Sequence, residues 1–233
     1  MNTLLRGTRS ARISLQALLL VGAAIMASAA PAQQIPDNER AQTPPAPPRN
    51  SEVARKLTPT QIVDELRHGG YVLYFRHAST DFAQNDAKSR GVDDCANQRN
   101  LIDKGRDEAR AIGVAIRNLR VPIANVIASP LCRTMETARL AFGEAEPVAD
   151  VRGGPLPAAD PNRYAALKKL LATPQPPAAN LVIVSHGNPF YGVAGPPYLA
   201  EGEAAVIRGQ GKDDFEIVAR IRLADWQTLP ATR

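Results

Sequence analysis

Tyr71-Val72-Leu73-Tyr74-Phe75-Arg76-His77 is a short, almost wholly apolar run that ends abruptly in an arginine and a histidine, with Gly69-Gly70 in front of it. An apolar run of this length without polar alternation reads as a strand covered on both faces by helices. Two more runs share the pattern. Val126 to Ala128 is cut off by Ser129-Pro130, and Leu181 to Val184 ends at Ser185-His186. Between them lie amphipathic stretches. Thr58-Pro59 with Ile62, Val63 and Leu66 predicts a capped helix, and Asp103 is expected to cap a second helix carrying Ala109, Ile112, Ile116 and Leu119 on one face. Pro130 is expected to open a third helix through about Phe142, and Asp160-Pro161 to open a fourth with Tyr164, Leu167, Leu170 and Leu171. A weaker strand is expected around Val148. Residues 187–202, with Pro189, Gly192, Gly195, Pro196 and Pro197, read as loop, and Ala204–Ile207 and Phe215–Ile221 as a closing pair of strands. Strands alternating with helices predict an α/β fold, a three-layer sandwich with a mostly parallel central sheet flanked by helices.

Outward from this core, the chain divides in three. Arg6, Arg9 and Arg12 precede an apolar run from Ile13 to Met26 and a small-residue stretch ending at Ala32, with no acidic residue throughout. That is the layout of a cleavable secretory signal, so residues 1–32 are read as a signal peptide, with cleavage after Ala29 or Ala32, and the destination as periplasmic or secreted. The apolar run is shorter than the roughly 20 residues that cross a bilayer, so no stable membrane insertion is expected after cleavage. Residues 33–56, with Pro36, Pro44, Pro45, Pro47 and Pro48 and no apolar periodicity, read as a linker. Residues 57–229 are read as one domain. Without the three signal arginines the charge balance is 25 basic to 23 acidic residues, which gives no reason to expect a nucleic-acid partner. Three histidines and no CxxC spacing argue against a dedicated metal site. Cys95 and Cys132 leave two readings open, a disulfide or a pair of partly buried thiols, because sequence does not fix their Cα separation.

In sheets of this kind ligands sit beyond the carboxyl ends of the strands, and His77 and His186 both follow strand ends directly. Arg133 falls in the first turn of the helix after the second strand, where an added guanidinium makes an anion site, and Arg76 supplies another. His68, in the last turn of its helix, reads as structural. The aperiodic residues 78–100, next to His77, read as a recognition loop.

FRHAST at 75–80, ASPLCRTMETA at 128–138 and VSHGNP at 184–189 resemble the three signature segments of the histidine phosphatase superfamily, the phosphoglycerate mutase-like fold, in the expected order. The resemblance implies a phosphomonoester or phosphoramidate hydrolase in which His77 is the nucleophile, with Arg76, Arg133 and a protonated His186 around the phosphoryl group and no cofactor. It implies a phosphorylated small-molecule or envelope substrate. One departure stands out. Many members carry a glutamate as general acid in the segment that here reads Val151-Arg152-Gly153-Gly154-Pro155-Leu156-Pro157-Ala158-Ala159, which holds no carboxylate. Asp81 is the preferred substitute, with Asp150, Asp160, Glu201 and Glu203 as alternatives; Thr80, Asn85, Arg99 and Asn188 are the expected substrate-binding residues. A missing acid suits a phosphoramidate or an activated ester. The rival readings are a mutase on the same chemistry and a noncatalytic protein that binds phosphorylated ligands.

Overall fold

The structure, a computed structural model, describes residues 57–153 and 158–231; the signal-like residues 1–32 and the linker 33–56 lie outside the described residues. Helix α1 (Pro59–His68) starts as expected, with Thr58 Oγ1 accepting from the Gln61 N–H and Gln61 Oε1 accepting from the Thr58 N–H, a reciprocal cap. Strand β1 (Val72–Arg76) follows, then a long loop, α2 (Asp103–Asn118), β2 (Ile123–Ala128), α3 (Cys132–Phe142), the two-residue β3 (Glu146–Pro147), α4 (Ala165–Ala172), β4 (Asn180–Ser185), α5 (Gly187–Ala194), β5 (Ala204–Gly211) and β6 (Asp214–Ile221).

The six strands lie in the order β3-β2-β4-β1-β5-β6. The first four run parallel, and β5 and β6 add an antiparallel margin. Alternate residues of β1 feed two separate cores. Leu73 and Phe75 pack with Val63 and Leu66 of α1, Ile112 and Ile116 of α2, Met135 and Ala138 of α3, and Trp226. Val72 and Tyr74 face the other way, onto Leu167 and Leu171 of α4 and Phe190 of α5. This is the three-layer α/β sandwich. Each large apolar side chain so buried contributes about 1.5–3 kcal/mol relative to exposure.

The connections after β1 and β4 leave toward opposite faces, because α2 belongs to the first core and α5 to the second. That divergence opens a crevice at the carboxyl ends of two adjacent strands. Register then decides what lines it. Arg76 pairs with Ser185, so His77 and His186 emerge side by side, and the pairing of Ala128 with Val184 brings Ser129 level with them.

Several expectations at element ends are corrected. Residues 187–194 form α5 rather than loop: Pro189 occupies the first turn, where a missing N–H costs nothing, and the helix ends at Gly195 with φ +71°. Asp103 is the first residue of α2, and its cap position is Ile102. Helix α3 begins at Cys132, two residues after Pro130. Asp160 does not cap α4; its side chain accepts from the Asn162 N–H in a turn, and the helix starts at Ala165.

Candidate active site

A cavity of about 180 Å³ opens at the carboxyl edge of β1, β2 and β4, lined among others by Arg76, His77, Asp86, Arg99, Arg133, Arg152, Arg163, Tyr164, His186, Asn188 and Tyr198. His77 is 1 % exposed. Its Nδ1–H donates to the Ala78 carbonyl at 2.9 Å, which fixes the tautomer and leaves the lone pair on Nε2. Burial, then the cations Arg133, Arg76 and Arg99, pull the His77 pKa down to about 3 against the Ala78 hydrogen bond, so the ring is neutral near pH 7.

Behind that ring Glu201 organises the floor. Its carboxylate accepts from the Thr80 hydroxyl at 2.7 Å and the Thr80 N–H at 3.2 Å, pairs with Arg76 at 3.4 Å and lies 3.8 Å from His77 Nδ1. Arg76 also donates to the Leu199 carbonyl at 2.9 Å. Thr80, expected to bind substrate, is thus 4 % exposed and committed to Glu201.

Arg133 is held in a fork. Both terminal nitrogens donate to Asp86, each at 3.0 Å, and one also reaches the Arg99 carbonyl. Burial alone would raise the Asp86 carboxyl, but Arg133 and the Arg99 N–H outweigh it and hold it below the usual range. His186 stands 5.5 Å from His77, ring centre to ring centre, with Nε2 at 2.8 Å from the Ser129 hydroxyl. Burial and the nearby Arg133 push its pKa well below 6.5. In the ligand-free site the His186 ring is therefore neutral; the protonated form is the one expected around a phosphoryl group.

The other carboxylates do not enter the cavity. Asp81 accepts from the Ala83 N–H in a local turn, Asp150 is exposed, and Glu203 binds Arg220 at 2.8 Å and the Ala200 N–H. None of these, nor Asp160 or Glu201, is among the lining residues. Asn85 is likewise outside it, with Oδ1 accepting from the Ala87 N–H, whereas Arg99 and Asn188 do line it. Glu136, on α3, pairs with Arg106 at 2.7 Å.

Residues 72–153 match the family model of the histidine phosphatase superfamily, branch 1. The histidine phosphatase match takes in Arg76, His77 and Arg133 and stops before His186, whose place rests on strand register. No curated protein matches the chain. Among solved structures, the protein histidine phosphatase SixA complexed with tungstate is similar at 19 % identity and a TM-score of 0.46, over 66 % of this chain and 97 % of that one. A phosphoserine phosphatase mutant of Entamoeba histolytica in complex with phosphoserine is similar at 13 % identity and a TM-score of 0.44, over 64 % and 95 %.

The residues missed by sequence reasoning are Asp86, Ser129, Arg152, Arg163, Tyr164 and Tyr198. Arg152 stood inside the segment searched for a carboxylate, and its charge was the readable signal. Gly187 shows why Tyr198 belongs here: a Cβ there would come within 2.2 Å of the Tyr198 ring, so only glycine lets that ring pack against the start of α5.

The two cysteines do bond. The Cys95–Cys132 disulfide, Cα to Cα 5.6 Å, ties the loop carrying Asp86 and Arg99 to the first residue of α3, beside Arg133. Reduction, or replacement of both cysteines by serine, is expected to cost about 2–4 kcal/mol of stability and to weaken anion binding several-fold by loosening Asp86 from Arg133. Thermal melts and inhibition by inorganic phosphate, with and without dithiothreitol, check this; unchanged values in both would contradict it.

The histidine shifts give a second prediction. In the ligand-free protein His77 does not titrate between about pH 5 and 8, a range NMR can follow, and His186 titrates well below its ordinary range. Because the unfolded His77 binds its proton near pH 6.5 and the folded one only near 3, the unfolded state holds the extra proton between those values. His77 therefore lowers stability as pH falls through that window. A titration of either ring near pH 6.5 would contradict the account.

Proposed function

We propose that this chain is a metal-independent phosphohydrolase in which the Nε2 of His77 attacks phosphorus and water then hydrolyses the phosphohistidine. One observation carries the reading. Five buried side-chain nitrogens lack a hydrogen-bond partner among the described residues, and four of them, Arg76 Nε, Arg133 Nε, Arg163 Nε and His186 Nδ1, belong to residues lining the cavity around His77. An unsatisfied buried donor costs about 1–3 kcal/mol, so their gathering at one place suits a site built to receive oxygen atoms.

The chemistry follows from the charges. Nε2 of neutral His77 supplies the electron pair, the bond from phosphorus to the leaving atom breaks, and Arg76 and Arg133 offset the negative charge on the equatorial oxygens. Water next attacks phosphorus, the bond to Nε2 breaks, and His77 returns to its neutral form with phosphate released. His186, neutral at rest, gains affinity for a proton once a phosphoryl dianion sits beside it, and can then share that proton with an oxygen.

Protonation of the leaving atom is the weak point. Among the described residues Asp86 is the one carboxylate lining the cavity, and it is ionised and locked to Arg133, so it has no proton to give. Leaving groups that need little help are favoured: phenols, or the nitrogen of a phosphoramidate. The reading includes export, which the signal-like residues 1–32 support and with which a disulfide in an oxidising compartment agrees.

The test is steady-state hydrolysis in EDTA of an aryl phosphate, a phosphoramidate and a simple alkyl phosphate. The first two are expected to turn over and the third to be slower by about 100-fold or more, the usual contribution of a positioned acid. Absence of turnover on all three would refute the hydrolase and leave a protein that only binds phosphorylated ligands.

A further inference from the structure

The cavity holds more positive charge than one phosphoryl group requires. Arg76 and Arg133 stand with His77 and are each partnered by a carboxylate, Glu201 and Asp86. Arg152 and Arg163 also line the cavity, and neither makes an ion pair or a side-chain hydrogen bond among the described residues. Arg152 lies on the His186 side, where its charge helps depress that ring's pKa.

These two arginines are placed by packing. The buried Ser185 hydroxyl donates to the Val151 carbonyl at 2.7 Å, which fastens the residue before Arg152 to the end of β4 next to His186. Gly153, at φ +118°, lies so close to Arg163 that a Cβ there would come within 2.7 Å of the arginine Nε, and Gly192 of α5 gives the same close seat to the Tyr164 ring. Arg163 Nε is buried without a partner. Loop, strand end and helix thus present two guanidiniums beside the phosphoryl pocket.

We propose that Arg152 and Arg163 form a second anion subsite, so that the substrate carries a phosphate or carboxylate on the leaving group in addition to the phosphoryl group that is transferred. This deepens the hydrolase reading and rests on it for the word substrate, though not for binding. A guanidinium pairs with a tetrahedral or planar oxyanion through two parallel hydrogen bonds, and the partial burial of Arg163 keeps its pairing from being fully screened. A neutral or apolar leaving group would leave both charges without an anionic partner, Arg163 having only the face of the Tyr164 ring.

The experiment measures binding by calorimetry to the His77→Ala protein, which removes the nucleophile, using phenyl phosphate, 4-carboxyphenyl phosphate and 1,4-phenylene bisphosphate. The ligands with a second anion are expected to bind on the order of 10- to 100-fold more tightly than phenyl phosphate, and their ranking distinguishes phosphate from carboxylate. Arg152→Gln, and Arg152→Gln with Arg163→Gln, should narrow and then erase that gap, and in the single variant phenyl phosphate binding should change by less than about threefold. Arg152 is exposed, so its single variant tests the idea without disturbing the packing around Arg163. Equal affinities for all three ligands, or an equal loss for all three in the variants, would overturn the subsite. Wild-type protein that hydrolyses none of the three esters while the affinity gap persists would refute the hydrolase and support the subsite.

Discussion

Replacing His77 by alanine is expected to lower kcat/KM on an aryl phosphate by on the order of 10⁴-fold or more, with the fold intact. The size follows from what is lost. The nucleophile is the one group whose removal ends the covalent route, and the remaining catalysis comes only from anion binding by Arg76, Arg133 and His186. Its side chain is buried at the end of β1, but Nδ1 anchors to the Ala78 carbonyl of its own loop, so truncation leaves few partners stranded. Binding of inorganic phosphate should therefore change far less than turnover. Parallel losses in kcat/KM and in phosphate affinity would mean that His77 holds the site together rather than reacting in it.

The second large effect is expected at Arg133. Arg133→Ala should reduce kcat/KM by roughly 10²–10³-fold, the range for removing a donor aimed at developing charge. It also releases Asp86, whose ionised carboxylate would then face the incoming phosphoryl group without its partner. Arg133→Lys should recover little, because an ammonium cannot hold Asp86 with two parallel bonds and still reach an oxyanion. Restoration by lysine to within about threefold of wild type would show that charge alone matters there. The additional change Asp86→Asn on the alanine background is expected to recover part of the loss, since it removes the stranded charge.

How much of this was readable from residues differs by kind. His77 and His186 could be found because a histidine directly after a buried apolar run stands at a strand's carboxyl end. Their adjacency could not be derived, because it depends on β4 inserting between β1 and β2, an order that nothing local encodes. Helix α5 was obscured by Pro189 and Gly192: proline in a first turn and glycine under an aromatic ring both look like loop when neighbours are unknown.

The carboxylates show the same limit. Asp81 is close to His77 in sequence, and its side chain is spent on a turn of its own loop. Asp86, five residues on, is returned to the cavity because Arg99 N–H and Arg133 hold it and the Cys95–Cys132 bond fixes the loop. Arg152 and Arg163 belong to aperiodic segments whose destination is set by Ser185 and by two glycines packing against side chains, contacts between parts of the chain far apart in sequence.

The central claim is a covalent phosphoenzyme on His77. Rapid acid-free quenching during turnover of an aryl phosphate, followed by intact mass and peptide mapping, tests it most directly. The account predicts one added phosphoryl group on the peptide containing His77, stable to base, lost in acid and absent from His77→Ala. Steady turnover with no such adduct, or an adduct on another residue, would contradict it.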